Sequence, residues 1–359
     1  MSRVFVCGMG AVSPAGWDVA AMRQALGRGV ALPIEPLTRP GWSKPLRCRS
    51  VPAPKTIGRP LFMSHPRLRR ASPITLYAAS ATLEALAPLQ AIAGASSNSN
   101  FDPRLGVISC LDAGCVQYSC RFWGEVLQDP ATASPLLFPE TVFSAPASHV
   151  SALLGNTPSV YTLIGDPATF LQGLSLAIDW LEEGQVEACV VVGAEETNWL
   201  LADALWHLER AAILSGGAGA LCLSLNPAWS IGTALTAITS AHTISPRADR
   251  RAAARAMRRE LPPCLPGELL CDGTSDSHRS SAPELVAWRD WTGPRLSLKR
   301  ILGEGLMAAA AWQCVAGVDA LVQGPYTAVN VSLAAGSQQA IGARFERAQP
   351  VIVPGQPAP

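Results

Sequence analysis

The chain has 359 residues, 28 of them basic and 27 acidic, so its formal net charge of +1 gives no global field that would favour nucleic acid. Hydrophobic residues make up 48% and charged residues only 15%, enough for one large core or two fused halves and too little polar material to cover the outside. That scarcity of charge predicts an extensive partner interface, because large apolar patches rarely stay solvated.

The chain opens with Met1-Ser-Arg-Val-Phe-Val-Cys-Gly-Met-Gly10, a strand-like run with no secretory leader, and a cytoplasmic protein is expected. Gly8 and Gly10 read as a structural turn, since the third glycine and the acid of a dinucleotide fingerprint are missing. Strands are expected at Val4–Gly8, Leu105–Cys110, Val160–Ile164, Ala188–Gly193 and Ala218–Ser224. Helices are expected at Trp17–Leu26, Pro73–Ala87, Thr169–Glu183 and Glu196–Ala211. The alternation then restarts, with strands near Ile231–Thr239, Glu268–Cys271, Arg295–Leu298, Ala328–Leu333 and Ala340–Glu346. Between them fall helices at Arg247–Glu260, Ala282–Trp291 and Gly305–Leu321. This is the pattern of an α/β protein with buried strands, divided into two related halves, 1–225 and 226–349, and a Pro-rich tail at 350–359.

The longest apolar stretch, Leu306 to Val322, is Ala-rich and carries Gln313 and Asp319, which predicts a buried helix and no membrane span. The ten cysteines form no C-x-x-C pair and read as reduced, packed thiols, with Cys115 the one candidate for a displaced nucleophile. No metal or cofactor is implied. Residues 36–83 hold nine Arg/Lys and no acid (Arg39, Lys44, Arg47, Arg49, Lys55, Arg59, Arg67, Arg69, Arg70) and are expected to be mostly loop. They are either a solvated connection or a docking patch for an acidic partner such as an acyl carrier protein. The run Arg247, Arg250, Arg251, Arg255, Arg258 and Arg259 offers a second such patch.

Several segments, in order, carry a family resemblance. Val4-Phe-Val-Cys-Gly-Met-Gly-Ala-Val-Ser-Pro-Ala-Gly16 looks like an opening strand and glycine turn, and Ser159–Ala177 like a strand, a tight turn and a helix. Val190–Glu195 and Ser215–Leu221 resemble two later strands, and Leu270–Ser275 and Leu296–Met307 two active-site loops. Together they resemble the β-ketoacyl synthases, the condensing enzymes of thiolase-like fold. The resemblance implies a five-layer α-β-α-β-α architecture built from two related halves. It also implies that Ser134–Val150 crosses a dimer interface and lines the neighbour's acyl tunnel, with His149 packed at that interface. Leu111, Asp112, Leu136, Leu137 and Phe138 become the implied tunnel residues.

In active members of that family a Cys attacks, two His assist decarboxylation and a Lys orients them. At the matching positions this chain has Pro167, Asp272 and Glu304, and only Lys299 remains. Proline has neither a thiol nor an N–H, and a carboxylate accepts hydrogen bonds where a donor is needed. Asp166 with Pro167 reads as an N-cap and N1 pair closing off the helix start. The glycine-rich gating loop also departs from the family, as Leu333–Ser337. The expectation is therefore a silent subunit similar to chain-length factors, paired with an active ketosynthase in a type II polyketide or aryl-polyene system. Two alternatives stay open: different chemistry on the same body (a decarboxylase or acyltransferase using Asp166, Asp272 or Glu304), and a homodimeric acyl-binding scaffold.

Overall fold

The computed structural model describes residues 3–54, 61–95, 103–155, 159–244, 249–336 and 338–348. Lys55, Arg59, Arg247, Ser337 and the 350–359 tail lie outside the described residues. In chain order the first half contains β1 (Val4–Val12), α1 (Val19–Arg28), the short β2 (Glu35–Leu37) and β3 (Leu46–Arg49), and α2 (Pro73–Ala95). It continues through β4 (Leu105–Leu111), α3 (Val116–Gln128), α4 (Ala145–Leu154), β5 (Ser159–Ile164) and α5 (Thr169–Glu182). β6 (Ala188–Glu195), α6 (Trp199–Leu208), β7 (Leu214–Ser215) and β8 (Gly217–Ser224) complete it. The second half has β9 (Thr233–Ile238), β10 (His242–Thr243), α7 (Arg250–Glu260), β11 (Leu269–Asp272) and α8 (His278–Ala287). β12 (Arg295–Ser297), α9 (Lys299–Leu302), α10 (Met307–Gln323), β13 (Ala328–Leu333) and β14 (Gln339–Arg347) follow.

The strand path runs β12-β11-β13-β14-β9-β1-β8-β6-β4-β5. The five principal strands of each half follow one plan. Taken as first to fifth in chain order within a half, they lie third-second-fourth-fifth-first. Both halves have parallel second–third and second–fourth pairs, and antiparallel fourth–fifth and fifth–first pairs. The repeat that is invisible residue by residue is thus explicit in the topology.

Five layers follow from which faces these strands bury. α2 covers one face of the first sheet, forming a core of Ile74, Ala78, Ala81, Ala85 and Leu86 with Val190, Val192 and Ala220. On the other face α5 and α10 form a central layer whose core reaches strands of both halves, from Val191 and Leu221 to Val329 and Val331. Beyond the second sheet, α7 and α8 close a separate core around Met257, Leu270 and Trp288. α10 is apolar all round because it has no solvent face; only its last turn escapes burial. None of the described helices is long and apolar enough to cross a membrane.

Several sequence expectations are corrected. Gly8 and Gly10 are strand residues and form no turn, because β1 keeps pairing with β8 up to Val12↔Ala218. A Cβ on Gly10 would lie 2.0 Å from the Ala81 carbonyl oxygen, so the glycines allow α2 to lie directly on β1. The 36–83 segment is not mostly loop, since it holds β3, two short 3₁₀ turns (Leu61–Ser64 and Pro66–Arg70) and the start of α2. α2 runs on through Pro88 to Ala95, beyond the expected end at Ala87. α6 starts later than expected, at Trp199, where the Asn198 side chain accepts from Leu200 N at 2.8 Å and caps the helix.

Gly10→Ala is expected to lower stability by about 2 kcal/mol or more through overpacking against α2. A denaturant midpoint equal to that of the parent protein would contradict this close packing.

Candidate functional site

β4 lies parallel to both β5 and β6, with Leu111 opposite Ile164 and Ala194. Three segments therefore leave the first sheet side by side at their carboxyl ends, the place where α/β folds gather ligand sites. After β5 comes the turn at Gly165-Asp166-Pro167-Ala168, with Pro167 buried and the Gly165 N–H donating to the Leu111 carbonyl at 3.0 Å.

Asp166 does not cap α5, contrary to the sequence reading. The N-cap position is Ala168 and no side chain caps it. With the helix starting at Thr169, the Asp166 carboxylate is too far back in the turn to cap. It crosses to the second half instead, accepting from Gln338 N at 2.6 Å and Gln339 Nε2 at 2.9 Å.

Two more acids lie beside this turn. Asp112 follows β4 directly. Burial pushes its carboxyl up to about 6, and the negative charges of Asp166 and Glu304 add to the rise. Glu195, at the end of β6, is fully buried and accepts from Ala113 N at 3.2 Å. Its carboxyl is pushed well above the ordinary range, by burial first and Asp112 second.

The second half supplies Lys299 and Glu304. Lys299 Nζ stands 2.7 Å from Glu304 Oε2 and donates to the Ala335 carbonyl at 3.5 Å. Glu304 Oε1 accepts from Leu306 N at 3.1 Å, at the start of α10. There Leu306 takes φ 48°, the one non-glycine residue with positive φ among the described residues. Asp272 is buried and hydrogen-bonded on both oxygens: it accepts from Thr274 Oγ1 and Ser297 Oγ at 2.7 Å each, from Thr274 N at 3.1 Å and from Arg295 at 3.3 Å. Three of these donors meet Oδ1 and Arg295 meets Oδ2, so the carboxylate anchors its loop chiefly through one oxygen.

The loop between β13 and β14 ties these groups together. Glu284, on α8, accepts from Ala334 N at 2.8 Å, from Ala335 N at 3.3 Å and from Ser332 Oγ. Burial raises its carboxyl to about 7, with repulsion from Asp272 second. Asp166 holds the loop at Gln338 and Lys299 holds it at Ala335. The structure thus gathers Pro167, Asp272, Glu304 and Lys299 around one loop, with Leu111 and Asp112 adjoining. Sequence reasoning missed Glu284, Arg295, Thr274 and Ser297. The signal that could have found Glu284 is an acid on the apolar face of an expected helix, where burial requires a partner.

The remaining implied tunnel residues stand apart. Leu137 is packed inside, while Leu136 and Phe138 are each 56% exposed. The Phe138 ring packs on Phe122 at 5.5 Å. His149 Nε2 meets Glu140 Oε1 at 2.8 Å and joins α4 to the turn before it. Cys115 is buried, and burial pushes its thiol up to about 12 against the opposing hydrogen bond that Ser72 Oγ donates to it, which disfavours the thiolate that a nucleophile needs. Of the first basic patch, Arg39 pairs with Asp203 at 2.9 Å and Arg49 is buried, donating to the Leu32 carbonyl. That leaves Lys44, Arg47, Arg67, Arg69 and Arg70 exposed.

The duplicated five-strand plan around a buried central helix layer defines a thiolase-like fold of the condensing-enzyme type. The chain belongs to the β-ketoacyl synthase family, whose N-terminal domain matches residues 1–217. It is similar in structure to a β-ketoacyl synthase from Burkholderia phymatum STM815, with TM-score 0.79, 17% identity, and coverage of 97% of this chain and 100% of that one. It is similar also to the ishigamide ketosynthase/chain length factor, with TM-score 0.72, 17% identity, and 97% and 100% covered. The ketosynthase ApeO in complex with its chain length factor ApeC, from Xenorhabdus doucetiae, matches with TM-score 0.73, 15% identity, and 97% and 98% covered. A search of curated proteins by sequence found no match.

Glu84 and Glu196, like Glu284, are buried carboxyls raised to about 7, chiefly by desolvation. A carboxyl whose folded pKa lies above its unfolded one binds its proton more tightly in the native state. Each therefore costs stability as pH rises from about 4.5, its unfolded value, to about 7. Stability is expected to fall by roughly 2 kcal/mol or more between pH 5 and pH 8. Denaturation midpoints that rise over this interval would contradict the assigned burial.

Proposed function

We propose that this chain is a non-catalytic, chain-length-factor-like subunit that pairs with an active β-ketoacyl synthase and shapes the tunnel in which an acyl, polyketide or aryl-polyene chain grows. The carrying observation is Pro167, buried in the turn at the head of α5, where the family's nucleophile would sit at a helix N-terminus. Around it, Asp272 is engaged by the loop hydroxyls of Thr274 and Ser297 and Lys299 is engaged by Glu304. Asp112, Asp166 and Glu304 make this space electronegative, which opposes both a malonyl carboxylate and an enolate.

Support for a partner comes from the end of the sheet. β5 closes the strand path, so among the described residues its outer edge has no strand beside it. Its Val160, Tyr161 and Ile164 are exposed, as are Trp123, Leu127, Leu136 and Phe138 of the preceding segments. A long apolar edge strand is a liability unless another chain covers it. Two of the similar structures are ketosynthase and chain length factor assemblies. In this reading the silent subunit lends Phe138 and its neighbours to the tunnel, and a carrier protein docks on exposed arginines, either Arg67, Arg69 and Arg70 or those of α7.

Two substitutions test the reading. Ile164→Asp is expected to weaken the complex with the cognate ketosynthase at least about tenfold, because it puts a charge at a desolvated edge. Phe138→Ala is expected to lengthen the products of the complex; its exposure in the free chain makes it a cleaner probe than the packed Leu137. Complex formation unaffected by Ile164→Asp, together with unchanged product length in Phe138→Ala, would count against both the interface and the measuring role.

A further inference from the structure

The second half carries a concave feature remote from Pro167. A cavity of about 410 Å³ lies between α7 and α8, lined by Arg258, Arg259, Cys264, Trp288, Asp290 and Trp291 among others. That volume is within the range of small-molecule sites. The two tryptophans meet edge to face at 5.7 Å. Both indole N–H groups are satisfied inside the protein, Trp288 by Ser332 Oγ at 2.9 Å and Trp291 by the Pro294 carbonyl at 3.1 Å. The rings are therefore fixed in place; Trp288 is buried with Arg258 over its ring, and Trp291 is the more accessible of the two.

The guanidinium of Arg258 is fixed too. It lies 4.5 Å over the Trp288 ring and donates to the Leu261 and Pro262 carbonyls and to Cys264 Sγ. Arg259 is exposed, with no hydrogen bond or ion pair among the described residues. α7 carries five arginines against one acid, Glu260, and that acid is turned away to His242 and the Ser240 N–H. The one carboxylate at the cavity, Asp290, is exposed and paired with Arg289. An aromatic wall thus stands next to unspent positive charge.

We propose that this cleft binds a small ligand with a planar aromatic ring and an anionic substituent, the chemistry of a nucleoside phosphate. The ring would lie against Trp291, and the phosphates would meet Arg259 and the field of the neighbouring arginines. This inference does not rest on the silent-subunit reading, because none of its residues belongs to the loop around Pro167.

The test is calorimetric titration of the full chain with ADP, adenosine and inorganic pyrophosphate. ADP is expected to bind saturably and at least tenfold tighter than either fragment. Arg259→Gln, at an exposed position, is expected to weaken ADP about tenfold with the melting temperature unchanged, and Trp291→Leu to weaken it about tenfold in a protein that still folds. Trp42→Leu, an exposed indole on a different surface, should leave the affinity as it was. The proposal is overturned if ADP binds no better than pyrophosphate, which would make the arginines a general anion surface. It is equally overturned if a folded Trp291→Leu protein binds ADP like the parent.

Discussion

The whole architecture depends on one constraint: two five-stranded sheets share a single layer of helices. α10 has to satisfy both sheets at once, so it is built from Ala308, Ala309, Ala310 and Ala311 and is buried along almost its full length. Gly193 and Gly219 face it where a Cβ would come within about 3 Å of Ala311. Trp312 then locks the layer to the first sheet, its indole N–H donating to the carbonyls of both Val12 and Ala218 at 2.9 Å. Close-packed interiors of this kind tolerate volume changes poorly, which holds the helix ends in fixed positions.

Those helix ends define the site. Each helix carries the positive end of its dipole at its N-terminus, and in α5 the first N–H groups are taken by the turn, Thr169 N donating to the Asp166 carbonyl at 2.9 Å and Leu171 N to the Ala168 carbonyl at 3.1 Å. An enzyme could use that field to activate a thiol or hold an oxyanion. Here Pro167 removes an N–H and any nucleophile, and Glu304 takes up the Leu306 N–H together with the Lys299 ammonium. Asp166 and Glu284 fasten the loop between β13 and β14 over the remainder. Asp166, Lys299 and Glu304 thus have hydrogen-bond or ion-pair partners within the chain.

Much of this was legible in the sequence because the apolar runs of the two sheets are long, β-branched and separated by Ala-rich helices. Strands such as β13 and β4 fall within a residue of expectation, and the buried nature of Leu306–Val322 followed from its composition. Boundaries failed where a side chain decides them: Asn198 delays α6, and Asp166 serves the opposite half instead of its own helix. α3 and α4 were not expected at all, since their apolar faces are partly exposed and their periodicity reads as surface. Within the site, the convergence of Pro167, Asp272, Glu304 and Lys299 could be inferred from motif order. The Glu284, Arg295 and Ser297 partners could not, because each joins positions dozens of residues apart or depends on which way a helix faces.

The central claim is most directly tested by an elongation assay with a carrier protein, run on this chain alone, on its cognate ketosynthase alone and on the co-expressed pair separated by size exclusion. The account predicts a stable one-to-one complex that elongates, no acyl transfer by this chain alone, and an impaired or inactive isolated ketosynthase. A soluble homodimer of this chain that transfers acyl groups unaided, or that leaves the ketosynthase unaffected, would contradict it.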